Sequence, residues 1–187
     1  MTDRDRLNQA VCEAIDQRRQ RVVDLGESIM DEPELGFKEV RTAERVRQVF
    51  EEAGLEYETG LALTGVKGVL RGARPGPTVA LMGELDSLIV PEHPRADPAT
   101  GAAHACGHNA QIAGLMGAAL GLAAAGAAAH LAGNVVFFAV PAEEYVEIDY
   151  RLGLVREGKT TFLAGKPELL QRGQPVRVFD DLSRAHP

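Results

Sequence analysis

Thr78-Val79-Ala80-Leu81-Met82-Gly83 is a near-continuous apolar run, and Asn134-Val135-Val136-Phe137-Phe138-Ala139-Val140 is a second. Each has the length and composition of a strand buried on both faces. Between them lies an Ala/Gly-rich segment, Ile112 to Ala129, that reads as a long buried helix beginning near His108 or Asn109. Strand, loop, helix, strand is the order of a βαβ unit, whose crossover is normally right-handed. The fold class that follows is α/β, with a sheet covered by helices on both faces.

Upstream, Leu7, Val11, Ile15, Val22, Leu25 and Ile29 recur at helical spacing among charges, predicting one helix from about Asp3 to Met30. Pro33 and Gly36 interrupt that pattern. A second amphipathic helix is expected over about Val40 to Ala53, with Gly54 at its C-terminal end. Val66 to Arg71 alternates as a strand does, and Gly72 to Pro77 reads as a turn. Together with Thr78–Gly83 this predicts a hairpin feeding the sheet. Ala123 to Ala129 is expected to extend the long helix, and Pro91 to Pro98 to form a mobile loop over the site.

Composition narrows the function. The 187 residues carry a net charge of −7 and a pI near 5.3, with no Lys/Arg-rich patch. That balance argues against nucleic acid and against anionic membrane surfaces as partners. Two cysteines, Cys12 and Cys106, do not make a disulfide scaffold. The charged start Met1-Thr2-Asp3-Arg4-Asp5-Arg6 has no apolar core behind it, so no signal peptide is read. A reducing, cytoplasmic setting is the expectation.

Sites in open α/β sheets form at the carboxyl ends of strands. Glu84 and Asp86 follow the first strand of the βαβ unit, and Glu143 and Glu144 follow the second. His104-Ala105-Cys106-Gly107-His108-Asn109 enters the intervening helix. Cys106 and His108 can bind one divalent ion across a turn that Gly107 permits. Adjacent carboxylates in extended chain point oppositely. One of Glu143 and Glu144 can therefore ligate while the other takes a proton from water. Glu84 or Asp86 could orient the ligand imidazole, or one of them could ligate. No Gly-x-Ser-x-Gly elbow and no phosphate-binding glycine loop is present.

Taken together, these motifs resemble the M20 metallopeptidase family, in particular its amidohydrolase branch. Four segments match in order: Pro33 to Glu39 with Arg41-Thr42-Ala43, Gly83 to Leu88, His104 to Asn109, and Pro141 to Glu144. The resemblance covers nearly all of residues 5–173. It implies a zinc-exopeptidase-like catalytic domain with two divalent ions, Mn or Zn. Cys106, His108 and Glu144 would be metal ligands, Glu143 the general base and Asp86 a supporting acid. The implied reaction is hydrolysis of the amide bond of N-acyl amino acids or similar small conjugates. Asn109 stands where the branch usually has Asp, and Glu84 where Asp is common.

The resemblance also implies that residues 1–187 are the N-terminal part of a catalytic domain. A dimerisation domain and the C-terminal catalytic part, with two more histidine ligands, would be absent. Phe179-Asp180-Asp181 resembles the lead-in to one such histidine, and Ala185-His186-Pro187 offers a displaced ligand. The expectations are weak or no turnover, and an exposed sheet edge available for pairing between copies. The alternative is a non-catalytic remnant or interaction module without stoichiometric metal.

Overall fold

The computed structural model describes residues 1–171. Phe179 to Asp181 and His186, with the ligand expected there, lie outside the described residues.

The helices are α1 (Asp3–Asp16), α2 (Arg19–Asp31), α3 (Val40–Glu52), α4 (His108–Ala124), α5 (Ile148–Arg156) and α6 (Gly165–Gln171). The strands are β1 (Glu56–Leu61), β2 (Gly65–Arg71), β3 (Arg74–Glu84), β4 (Leu88–Ile89), β5 (Ala102–Ala103) and β6 (Ala132–Val140). Four strands form one sheet in the order β1-β2-β6-β3. β6 runs parallel to β3 and antiparallel to β2. The βαβ unit is therefore present, with α4 as its crossover helix.

Alternation along β6 separates two apolar layers. Phe137 and Ala139 pack with Val46, Val49 and Phe50 of α3 and with Ile112 and Met116 of α4. Phe138 and Val140 point the other way, into a cluster with Phe37, Leu154 of α5 and Leu169 of α6. Helices thus cover both faces, as expected for this fold class.

Four local expectations are corrected. The hairpin does not form: β6 lies between β2 and β3, with Lys67 paired to Phe138 and Leu81 to Phe137. Local turn signals at Gly72–Pro77 could not show that a strand sixty residues on would insert there. Second, β3 is not buried on both faces. Val79 is 55% exposed, and Leu81 and Met82 are 38% exposed. β3 is an edge strand, and among the described residues nothing pairs with its outer side.

Third, α1 and α2 are separate helices, because Arg18 leaves helical geometry at φ −105° and ψ 9°. No Gly or Pro marks the break. Its cause is tertiary: Ile15, Val22 and Gly26 lie against Gly121, Gly117 and Ala113 of α4. Fourth, α4 stops at Ala124, and Gly126 adopts φ +63° before a 3₁₀ turn at Ala127–His130.

β1 was not anticipated, since Glu56 to Gly60 are exposed and carry no apolar alternation. The Pro-rich loop is pinned to α2 by Arg95, whose Nη1 lies 2.7 Å from Glu27 and whose guanidinium also pairs with Asp31. No helix among the described residues is long and apolar enough to cross a membrane.

Candidate metal centre

The carboxyl ends of the parallel pair β3 and β6 bring the motifs together. Glu84 closes β3, and Pro141-Ala142-Glu143-Glu144 follows β6. Between them, Gly107 takes φ +98° at the N-terminal end of α4. A side chain would be strained in that conformation. The turn it makes points Cys106 outward and seats His108 in the protein, 2% exposed.

His108 is oriented from behind. Its Nδ1 lies 2.9 Å from the Asp86 carbonyl oxygen, which can only accept, so Nδ1 carries the proton. Nε2 then faces carboxylates: Glu84 Oε2 at 3.1 Å, Glu144 Oε1 at 3.8 Å and Glu143 Oε2 at 3.9 Å. Two ligand groups result, each with its atoms within 4.8 Å of one another: Cys106, His108 and Glu144, and Glu84, His108 and Glu143. His108 belongs to both. Thiol, imidazole and carboxylate are the donors a divalent ion takes, so the residues fit one.

Asp86 lies behind the imidazole, fully buried. Its Oδ2 accepts from the Glu144 backbone N–H at 2.9 Å, and its Oδ1 is 3.6 Å from His108 Nδ1. Of the pair Glu84 and Asp86, Glu84 reaches the cleft and Asp86 braces it. His104 joins neither group: it is 3% exposed, and both its ring nitrogens lack a hydrogen-bond partner among the described residues. Burial and the nearby His108 push its pKa down to about 4.

The electrostatics favour protons where an ion would sit. Burial opposes charge on His108, but the hydrogen bonding it donates to Asp86 and the charges of Asp86 and Glu84 outweigh it and raise its pKa to about 9. The Cys106 thiol is also raised, first by its hydrogen bond to Glu144 and then by burial.

Three residues that hold the Glu143-Glu144 turn were not singled out for a role from sequence. Glu39, fully buried, accepts from the Ala142 N–H at 2.7 Å and from the Thr64 hydroxyl at 2.6 Å. Ala142 itself sits at φ +49°, unusual for a residue with a side chain. Its carbonyl accepts from the Gly165 N–H at 3.1 Å and from Arg151 Nη1 at 3.4 Å. The Arg151 guanidinium is completely buried, with Nη2 3.9 Å from Asp86 Oδ2. Lys166 reaches Glu84 and lies 3.6 Å from Glu143 Oε1. Glu39 belongs to the Pro33–Glu39 segment but nothing in the sequence marks it as buried against Ala142, and Arg151 looks like any solvated charge, so neither role had a local signal.

Burial raises the Glu39 pKa to about 7, against 4.5 ordinarily. The folded protein then holds a proton that the unfolded chain has released, so this group makes stability fall as pH rises from about 4.5 to about 7. Glu39→Gln keeps an acceptor for Ala142 and can donate to Thr64. It is expected to stabilise the fold above pH 7 by on the order of 2–3 kcal/mol, with no gain below about pH 4.5. Urea unfolding across that range reads the difference, and a pH-independent gap would contradict the assignment.

The model of peptidase family M20/M25/M40 matches residues 80–178, more than half of the chain. Thermostable carboxypeptidase 1 of Saccharolobus solfataricus is 37% identical over 102 residues, 52% of this chain and 26% of that protein. N-acetylcysteine deacetylase of Bacillus subtilis is 34% identical over 128 residues, 66% of this chain and 33% of that protein. Among solved structures, the Bacillus subtilis YXEP protein, described as a dinuclear metal binding peptidase, superposes with a TM-score of 0.62 at 29% identity. The match covers 75% of this chain and 41% of that one. The chain thus spans between about a quarter and a third of the length of these two curated relatives.

Proposed function

This chain belongs to peptidase family M20/M25/M40, and on that basis we propose that its cleft binds divalent metal and serves hydrolysis of the amide bond of N-acyl amino acids or similar small conjugates. The observation that carries the reading is the meeting of two ligand groups at His108. Cys106, His108 and Glu144 hold an ion in this reading. The thiolate suits Zn, while the surrounding carboxylates also suit Mn. A divalent ion there supplies Lewis acidity, polarising a carbonyl and easing deprotonation of water.

The chain's own residues do the rest. Glu143, part-exposed at the mouth of the cleft, takes the proton of the attacking water and returns it to the leaving amine. Asp86 keeps His108 in the tautomer that presents Nε2. Glu39 and Arg151 fix Ala142, and so fix where both glutamates point. The name of the Bacillus subtilis deacetylase supports a small acylated amino acid as substrate. Cys106 as a ligand requires a thiol kept reduced, which fits the cytoplasm.

Residues 1–187 act in this reading as the N-terminal part of a catalytic domain, and by themselves hydrolyse such substrates weakly or not at all. A second reading, a non-catalytic module that pairs with a copy of itself, draws support from the exposed edge strand β3, where Val79 is 55% exposed.

Metal binding separates the two. Chelator-stripped protein is expected to take up Zn stoichiometrically, and Cys106→Ala to lose it. Binding must displace protons from His108, with its pKa near 9, and from Cys106, whose pKa is also raised. Affinity should therefore climb from pH 6 to pH 9, with protons released on binding. Calorimetric titration in two buffers of different ionisation enthalpy measures that release. A chain that takes up no metal at any pH would remove the catalytic reading and leave the module.

A further inference from the structure

The two ligand groups are alternatives for one ion. Both need the same imidazole nitrogen, Nε2, because Nδ1–H is held by the Asp86 carbonyl. The two sides of that nitrogen differ by one cation. Glu84 and Glu143 each turn Oε2 toward Nε2, at 3.1 and 3.9 Å. Their other oxygens meet Lys166, whose ammonium pairs directly with Glu84 Oε1 and lies 3.6 Å from Glu143 Oε1. Glu144, 3.8 Å from Nε2, makes no ion pair with Lys166 among the described residues; it meets the Cys106 thiol instead.

The fold delivers this lysine to one side only. Gly165 starts α6 with its N–H bonded to the Ala142 carbonyl at 3.1 Å. A Cβ on Gly165 would sit 1.9 Å from the Pro141 carbonyl oxygen, so the backbone approach there requires glycine. The residue after that glycine is Lys166. Its anchor is the same Pro141–Ala142 backbone that leads into Glu143 and Glu144, so the position of the ammonium is tied to that of both glutamates.

We propose that Lys166 is a positioning residue: by engaging Glu84 and Glu143 it steers the single ion to Cys106, His108 and Glu144. The inference rests on the metal-binding reading above. A carboxylate that already pairs with an ammonium is a weaker donor, and an ion seated beside it is repelled by a like charge. The thiol side carries no such penalty. The same contact gives two adjacent glutamates different work. Glu144 is left to ligate, while Glu143, drawn toward Lys166, keeps its carboxylate for the proton of the attacking water. Sequence spacing alone left open which of the two did which. The Lys166 side chain is 44% exposed, so water screens it, and its bias should be about tenfold in affinity, the low end for a residue that acts on a ligand from outside.

The test is whether the metal's dependence on Cys106 itself depends on Lys166. Zn affinity is measured by competition with a chromophoric chelator for wild type, Lys166→Met, Lys166→Gln and Lys166→Arg, each with and without Cys106→Ala. Thermal melts by circular dichroism verify folding. Every protein that keeps Cys106 should bind a single Zn. Removing Cys106 should cost wild type and Lys166→Arg about tenfold more affinity than it costs the two neutral variants, in which the ion can shift to Glu84 and Glu143. Cobalt reports the ligands directly. At equal occupancy, thiolate-to-metal charge transfer should be strong in wild type and Lys166→Arg and weaker in Lys166→Met and Lys166→Gln. The same cost of Cys106→Ala in all four backgrounds, or thiolate absorption of equal strength in them, overturns the steering role and leaves metal binding intact. No Zn uptake by wild type overturns both.

Discussion

Arg151→Ala should lower the unfolding free energy by about 3–5 kcal/mol, the usual cost of breaking a buried charge pair by removing one partner. The guanidinium has no solvent exposure, and neither has Asp86, 3.9 Å from its Nη2. Nη1 donates to the Leu163 carbonyl at 2.7 Å and to the Ala142 carbonyl at 3.4 Å. The guanidinium also lies over the Phe37 ring, 5.6 Å from its centroid. Truncation removes all of this and opens a void between the Ala142 turn and the Leu163 loop. For a chain of this size the loss corresponds to a melting temperature lower by roughly 10 °C. Arg151→Met restores much of the volume but none of the charge, so it should fall between the two. Urea unfolding followed by circular dichroism measures both variants. An alanine variant within about 1 kcal/mol of wild type would show that this arginine does not hold the turn.

His108→Ala should weaken Zn binding by more than about 100-fold, beyond what removing an outer-shell partner causes. It is the residue common to both ligand groups, so no rearrangement within either one replaces it. Asp86→Asn tests the neighbouring role: it keeps the backbone carbonyl that accepts from Nδ1–H and should cost no more than about 10–100-fold. Without metal, His108 has a second effect. Its folded pKa of about 9 lies above the ordinary 6.5, so it stabilises the fold fully below pH 6.5. That contribution disappears as pH rises through 9. The stability gap between metal-free wild type and His108→Ala should accordingly be widest near pH 6 and close toward pH 9.5. A gap that widens with pH would mean the imidazole is not held as a cation. Metal affinity unchanged in His108→Ala would place the centre elsewhere.

The residues at the cleft were legible because their chemistry is local. Cys106, Gly107 and His108 sit within three positions, and only one backbone turn is needed to present them. Glu143-Glu144 follows an apolar strand whose period is unmistakable. The residues that support them were not legible. Glu39 and Arg151 lie 103 and 9 positions from Ala142, which both of them bond. In sequence Glu39 ends the Pro33–Glu39 segment without any sign that it is buried or reaches Ala142, and Arg151 is indistinguishable from a solvated charge. Lys166 is one lysine among twenty basic residues, and its meaning depends on Gly165 packing against Pro141.

The same division applies to the fold. Hydrophobic period and length were enough to identify α3, α4, β2, β3 and β6 as elements and to establish a parallel βαβ pair. These properties depend on each segment's own side chains and on which of its faces is apolar. Strand order was beyond their reach. Whether β2 pairs with β3 or with β6 depends on hydrogen bonds between segments sixty residues apart, and β6 won both neighbours. Whether β3 is buried depends on what lies beside it, not on its composition. The break at Arg18 reflects how two helix segments lie along α4. In each case local composition defined what a segment could become, and contacts made only in the folded chain decided which possibility was realised.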